Sequence, residues 1–137
     1  MGRAPSTDEI VAVADFRAAL RSFLRQSERK ARSAGLTPQR YLLLLMIKGA
    51  PGGTERSTVT ELSERLQLAQ STVTELVSRA EEAGLVERAQ SRSDGRVAHL
   101  RLSNEGERRL GEAFDLLSTE RASLREAFQH LEGTAPQ

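Results

Sequence analysis

The sequence predicts a mainly α-helical single domain with one small antiparallel β-hairpin. The chain has 137 residues, the length of one ordinary domain. Its apolar and charged fractions, 38% and 28%, are typical of a folded globular protein. Apolar residues recur at helical spacing along most of the chain, and strict alternation appears only in the part that follows Gly84.

The first predicted element is an amphipathic helix over residues 8–34. Its inner positions recur at alternating steps of three and four, which is typical of a seam between helices. They are Val13, Phe16, Leu20, Phe23 and Ser27. Gly35 follows, as glycine often does at the end of a helix.

The next two helices are predicted from signals at their first turns. Thr37 as N-cap and Pro38 at the first helical position begin a helix with an apolar run over 41–47, which predicts burial on all sides. A loop rich in glycine ends this helix. Thr58 and Glu61 form a capping-box pattern that begins the third helix.

The fourth helix, over residues 70–83, has two different faces. Its apolar face is Val73, Leu76, Val77 and Ala80, spaced to lie on one side. The opposite face is small and polar and consists of Ser71, Thr72, Thr74, Glu75, Ser78 and Arg79.

Residues 85–88 and 97–102 alternate as two strands, and Asp94-Gly95 supplies a turn between them. Between residues 88 and 101 the local charge is +3, which could bind an anion. The charged residues are Arg88, Arg92, Arg96, Arg101 and Asp94.

The last predicted helix covers residues 103–131, with Ser103 as N-cap. Its apolar stripe, which Arg121 interrupts, is Leu110, Phe114, Leu117, Leu124, Phe128 and Leu131. The small core between the first and last helices cannot cover both, so we expect them to pack against a second copy in a homodimer. The alternative is that the two seams cover each other within one chain.

The order of these elements predicts a winged helix-turn-helix core, residues 36–102, flanked by N- and C-terminal dimerisation helices. Small hydroxyl side chains on the fourth helix would let its backbone approach the major groove and bind bases and phosphates. An arginine of the hairpin could enter the adjacent minor groove. Double-stranded DNA is therefore the predicted partner. The alternatives are a polar helix face that is only solvated, or a protein-interaction module with weak or no DNA binding.

Several segments, in this order, resemble the MarR family of bacterial transcriptional regulators. They are LTPQ (36–39), ELSERL (61–66), QSTVTELVSR (70–79), EAGLVER (82–88), DGR (94–96) and LSNEG (102–106). The resemblance implies a homodimer that binds pseudo-palindromic DNA, usually as a repressor, and that is often released by a small ligand. It also implies that the fourth helix contacts the major groove, that Asp94 braces the wing and that Arg96 enters the minor groove.

The candidate DNA-binding residues combine the pattern and the resemblance. They are Gln70, Ser71, Thr72, Thr74, Glu75, Ser78, Arg79, Arg88, Arg92, Asp94 and Arg96. The family often binds aromatic anions between the dimer helices and the core. Candidates for such an effector site, chosen for chemistry and position, are Arg17, Arg21, Arg25 and Tyr41, although each could be an ordinary surface or packing residue.

Three departures from the family pattern bear on the candidate interface. The loop over 49–57 is longer than usual and could displace the first short strand of the wing. Ala69 stands where a capping Ser or Asp is common, so the fourth helix would be capped by Ser71 or begin late. Glu75 could accept from a cytosine amino group, but we favour an ion pair with Arg79 one turn away.

Composition disfavours other classes of function. The chain has no Cys and two His, which excludes thiolate metal sites and thiol redox sensing. It has no phosphate-binding glycine loop and no nucleophile beside a histidine, so we expect neither an enzyme nor a cofactor. No apolar run approaches the roughly 18 residues of a membrane helix, and the N-terminus lacks a secretory signal, so we expect a cytoplasmic protein.

Overall fold

The computed structural model describes residues 2–90 and 97–133. The elements are α1 (Thr7–Ser33), α2 (Pro38–Lys48), α3 (Val59–Leu66), α4 (Gln70–Glu82), β1 (Val86–Gln90), β2 (Ala98–Leu102), α5 (Asn104–Leu116) and α6 (Ser118–Gly133). A short 3-10 turn, Pro51–Gly53, follows α2. The prediction of a mainly helical chain with a small antiparallel hairpin is confirmed. The predicted hairpin tip, with Arg92, Asp94 and Arg96, lies outside the described residues.

Side-chain caps determine where most of the helices begin. The side chains of Thr37, Thr58 and Ser103 each accept a hydrogen bond from a first-turn amide, as predicted. Thr58 and Glu61 form the complete capping box. A second capping box, between Ser6 and Glu9, begins α1 and was not predicted.

The hydrophobic core surrounds α2. Leu43, Leu44 and Ile47 are fully buried and belong to one cluster with residues of α3, α4 and the hairpin. The expectation that this helix is buried on all sides is wrong at Leu42, whose side chain is 41% exposed. Leu42 faces a small cavity between α1 and α2 instead of the core.

Strands β1 and β2 form an antiparallel hairpin, which we call the wing, with Val86 opposite Leu102. Leu100 and Leu102 are buried while Arg101 between them is exposed, as the alternation predicted. Ser57 adds a single bridge, in which its amide donates to the Leu100 carbonyl at 3.0 Å and its carbonyl accepts from the Leu100 amide at 2.8 Å. The short strand that was expected after the loop over 49–57 is therefore reduced to one bridging residue, Ser57.

The prediction of one continuous helix over residues 103–131 is wrong, because the chain breaks at the buried Leu117 into α5 and α6. An Nη of Arg121 donates to the Phe114 carbonyl at 2.6 Å, and its guanidinium lies 3.6 Å from the centre of the Phe114 ring. The side chain that interrupts the apolar stripe thus satisfies a carbonyl at the end of α5. The break leaves α6 packed along α1, where the rings of Phe16 and Phe128 lie 6.0 Å apart.

The two predicted seams therefore contact each other within one chain, as the alternative interpretation proposed. They cover each other only in part, since Val13 remains 51% and Phe128 48% exposed. None of the helices in the described residues is both long and apolar enough to cross a membrane.

Candidate nucleic-acid interface

The polar face of α4 is open to solvent along its whole length. We call this surface the α4 front and define it as the exposed residues Gln70, Ser71, Thr72, Thr74, Glu75, Ser78 and Arg79. On the opposite side Val73, Val77 and Ala80 are fully buried. The helix is therefore fixed to the core by one face and presents every candidate residue of the other.

The turn between α3 and α4 is held by its own hydrogen bonds. Gln67 adopts the left-handed conformation, with φ 57° and ψ 44°, and ends α3. Its side-chain amide donates to the Glu64 carbonyl at 2.6 Å. The hydroxyl of Ser63 donates to the Leu68 carbonyl, also at 2.6 Å. These bonds fix the angle at which α4 leaves α3.

The N-terminus of α4 has no side-chain cap. The helix begins at Gln70 with Ala69 in the N-cap position, so both expectations for this end, capping by Ser71 and a late start, are wrong. Alanine has no oxygen to accept from the first-turn amides, which keep the partial positive charge of a helix N-terminus. This end of the α4 front is suited to contact a phosphate.

Glu75 and Arg79 form the predicted ion pair in the C-terminal half of the front. An Nη of Arg79 donates to a carboxylate oxygen of Glu75 at 2.6 Å. Both side chains are well exposed, at 64% for Arg79 and 63% for Glu75. The pair neutralises the carboxylate that would otherwise repel phosphates.

Known proteins with a similar sequence or fold agree with the helix-turn-helix arrangement described above. The family model described as the MarR family matches residues 34–97, which contain α2, α3, α4 and β1. The match covers just under half of the chain, and it confirms the predicted resemblance to the MarR family over the winged core. Among curated proteins, none matches the chain significantly.

Solved structures, among them MarR itself and a MarR family regulator, share the fold beyond the matched core. AbsC, a MarR family transcriptional regulator from Streptomyces coelicolor, is 24% identical with a TM-score of 0.63, covering 95% of this chain and 84% of its own. A cysteine-to-serine mutant of MarR from Escherichia coli, complexed with operator DNA, is 18% identical with a TM-score of 0.63, covering 97% and 89%. Overoxidized AbfR bound to DNA is 26% identical with a TM-score of 0.59, covering 86% and 84%.

At the base of the wing, two arginines are paired with carboxylates. The Nε of Arg88 lies 2.8 Å from Glu81 of α4, and the Nε of Arg101 lies 3.3 Å from Glu87. Both carboxylates lie outside the segment whose charge of +3 was counted from the sequence. The antiparallel register, which places Glu87 opposite Arg101, was the signal that could have found the second pair.

The four effector candidates do not form one site. Tyr41 is buried and lines a cavity of about 140 Å³ between α1 and α2, and burial raises the pKa of its phenol. The other lining residues are Leu24, Ser27, Glu28, Pro38 and Leu42. Arg17, Arg21 and Arg25 are exposed along α1 and do not line this cavity. Its one charged lining residue is acidic, so these residues offer no cation to an anionic ligand.

A metal centre has no candidate in the part of the chain that the structure describes, because no three His, Asp or Glu side chains there converge.

Proposed function

We propose that the protein is a sequence-specific DNA-binding transcriptional regulator that acts as a repressor and binds pseudo-palindromic operators as a homodimer. The observation that carries this proposal is the α4 front, a continuous hydroxyl-rich surface on a helix whose other face is fixed in the core. Small side chains let a helix backbone come close to the base edges of the major groove. Two structural neighbours, MarR in complex with operator DNA and AbfR bound to DNA, support the same function.

The proposed contacts divide between bases and backbone. Hydroxyls and the amide of the α4 front would contact base edges and nearby phosphates. Arg88, which is tied to Glu81 at the base of the wing, would contact the backbone beside the groove. Arg92 and Arg96 would extend this contact into the minor groove, with Asp94 bracing the wing.

A homodimer is supported by where the exposed apolar side chains lie. Most of the large hydrophobic side chains that the described residues leave exposed are on α1, α5 and α6: Ile10, Val11, Val13, Leu24, Phe114, Leu116 and Phe128. Apolar surface concentrated on terminal helices is suited to a symmetric helical interface. Such a dimer would place two α4 fronts on one face, where each could contact a half-site.

The proposed function includes a small effector that binds the protein and releases the DNA. The cavity beside Tyr41 is the candidate site, and its lining residues indicate which class of ligand fits there. The lining is mainly apolar and has an acidic residue, Glu28, at its edge. These mainly apolar residues fit an aromatic ligand.

The test measures binding of the protein to a labelled palindromic duplex taken from upstream of the gene. Fluorescence anisotropy reports the affinity, and a scrambled duplex is the control. We expect tighter binding to the palindrome and an affinity that falls steeply as salt rises, because bound phosphates release counterions. No binding at low salt, or an affinity that does not change with salt, would favour the protein-interaction module instead.

A further inference from the structure

The Glu75–Arg79 pair has more donors than its one hydrogen bond uses. Arg79 contacts Glu75 through one Nη, at 2.6 Å, and no other bond to its guanidinium is present in the described residues. A guanidinium carries five N–H donors in a planar arrangement. That Nη carries two hydrogens, and Glu75 accepts only one of them. Whichever one it accepts, one edge of the guanidinium still presents two parallel N–H donors to another partner.

Two parallel donors are the pattern that recognises guanine. The major-groove edge of guanine presents two acceptors, O6 and N7, and a bidentate arginine is its commonest specific partner. The remaining side chains of the α4 front are neutral or acidic, so Arg79 is the only cation of this surface.

Position also suits this role. Arg79 follows Ser71 by two turns of helix, roughly 12 Å along the axis at 1.5 Å per residue. A recognition helix enters the groove with its N-terminal residues, so its C-terminal half lies further from the bases than a short hydroxyl such as that of Ser78 can reach. An arginine side chain is long enough to reach such bases, but its many rotamers make it imprecise unless a second group holds it.

We propose that Glu75 is a positioning residue that holds Arg79 for bidentate recognition of a guanine in the major groove. This inference rests on the proposed function, since it requires that the α4 front enters the groove. In a homodimer the guanine occupies mirrored positions in the two half-sites. The carboxylate itself contacts no base, and its charge is offset by the arginine that it orients.

The experiment is selection of the full-length protein on a pool of duplexes with a randomised central region, followed by sequencing of the bound fraction. Wild type is compared with Arg79→Ala, Arg79→Lys and Glu75→Gln. The control Glu82→Gln removes another exposed carboxylate of the same helix, one that makes no ion pair with Arg79 in the described residues. Circular dichroism of each variant checks that the fold is retained.

We expect wild type and Glu82→Gln to enrich guanine at one mirrored pair of positions. Arg79→Ala should lose that preference by about 5- to 150-fold while keeping the rest of the motif. Arg79→Lys should also lose it, because an ammonium cannot make the two parallel bonds. Glu75→Gln should weaken the preference at the same position and leave the other positions unchanged.

Two results would overturn the assignment while leaving the proposed function intact. One is a motif that contains no mirrored guanine, or whose guanine preference is unchanged in Glu75→Gln. The other is a preference lost in Glu75→Gln but kept in Arg79→Ala, which would mean that Glu75 contacts cytosine directly. If wild type enriches no sequence at all, the proposed function fails and the guanine assignment fails with it.

Discussion

Gly106 lies in the first turn of α5, where the helix passes against the strand that leaves α4. Its amide donates to the Ser103 hydroxyl at 3.0 Å, and Ser103 also donates to the Gly84 carbonyl. A methyl group on Gly106 would overlap the carbonyl oxygen of Leu85 and crowd its carbonyl carbon. Glycine is required here by close backbone packing at the base of the wing.

Gly106→Ala should therefore lower the free energy of unfolding by about 1–3 kcal/mol, the usual range for overpacking a tight site. Gly111→Ala is the matched control, since it lies in the same helix with open space where its methyl group would be. That change should raise the stability by about 0.5–1 kcal/mol, because alanine favours helix. Urea denaturation measures both, and equal effects in the two variants would contradict the packing argument.

The Glu105 carboxylate links the start of α5 to two arginines. Hydrogen bonds from Arg108, and then from Arg109, lower the pKa of Glu105 to about 2. Arg109 also donates to the Gly35 carbonyl at 3.1 Å, so Glu105 indirectly supports the turn between α1 and α2. At the start of α1, hydrogen bonds from Arg3 and Ser6 lower the pKa of Glu9 to about 2 as well.

A carboxyl group whose pKa is lower in the folded than in the unfolded chain stabilises the fold above its unfolded pKa, near 4.3. That contribution is lost as the pH falls toward the folded value. We expect the free energy of unfolding to decline between about pH 5 and pH 2. Glu105→Gln should be less stable than wild type at pH 7, and the difference should shrink toward pH 2. A difference that stays constant over this range in urea titrations would rule out the linkage.

At the scale of elements, α3 and α4 differ in how they begin. The capping box of Thr58 and Glu61 begins α3, with the Thr58 hydroxyl accepting from the Glu61 amide at 3.2 Å. The N-terminus of α4 has no such oxygen. A substitution can therefore remove a stabilising cap from α3, whereas at α4 a substitution can add one.

Thr58→Ala should lower the free energy of unfolding by about 1 kcal/mol, the usual cost of removing an N-cap. Ala69→Ser should raise it by a comparable amount, because a serine hydroxyl can accept from the free amides of α4. Thermal denaturation of both variants measures the effects. If Ala69→Ser brings no gain, these amides are already satisfied in solution.

The break between α5 and α6 belongs to the same scale. No glycine or proline marks it, and the apolar spacing continues through Leu117, so sequence periodicity predicts one helix. The break occurs where Arg121 bonds to the end of α5 and α6 packs on α1. Contacts between elements distant in sequence, such as the Lys30 Nζ at 2.6 Å from Glu120, determine this geometry.

At the scale of the whole molecule, the exposed apolar side chains of α1, α5 and α6 argue that one copy is incomplete. We expect sedimentation velocity at micromolar concentration to show a dimer. Val13→Glu, which puts a charge on the exposed apolar surface of α1, should shift the protein toward monomer. Leu68→Glu is the control, because Leu68 is exposed in the turn between α3 and α4, away from the terminal helices. A monomeric wild type, or a Val13→Glu variant that remains fully dimeric, would contradict the proposed interface.

Local chemistry was enough to predict the helix starts at Thr37, Thr58 and Ser103, the two faces of α4 and the alternation of β2, because caps and periodicity depend on residues a few positions apart. The Glu75–Arg79 pair was predictable for the same reason, since its partners lie one helical turn apart. Contacts between different elements could not be predicted in this way, because they arise only when distant segments meet. They include the packing of α6 on α1, the ion pair of Arg88 with Glu81 and the separation of Tyr41 from the arginines of α1. Distances between such segments depend on how the whole core packs, and spacing along the chain carries no information about them.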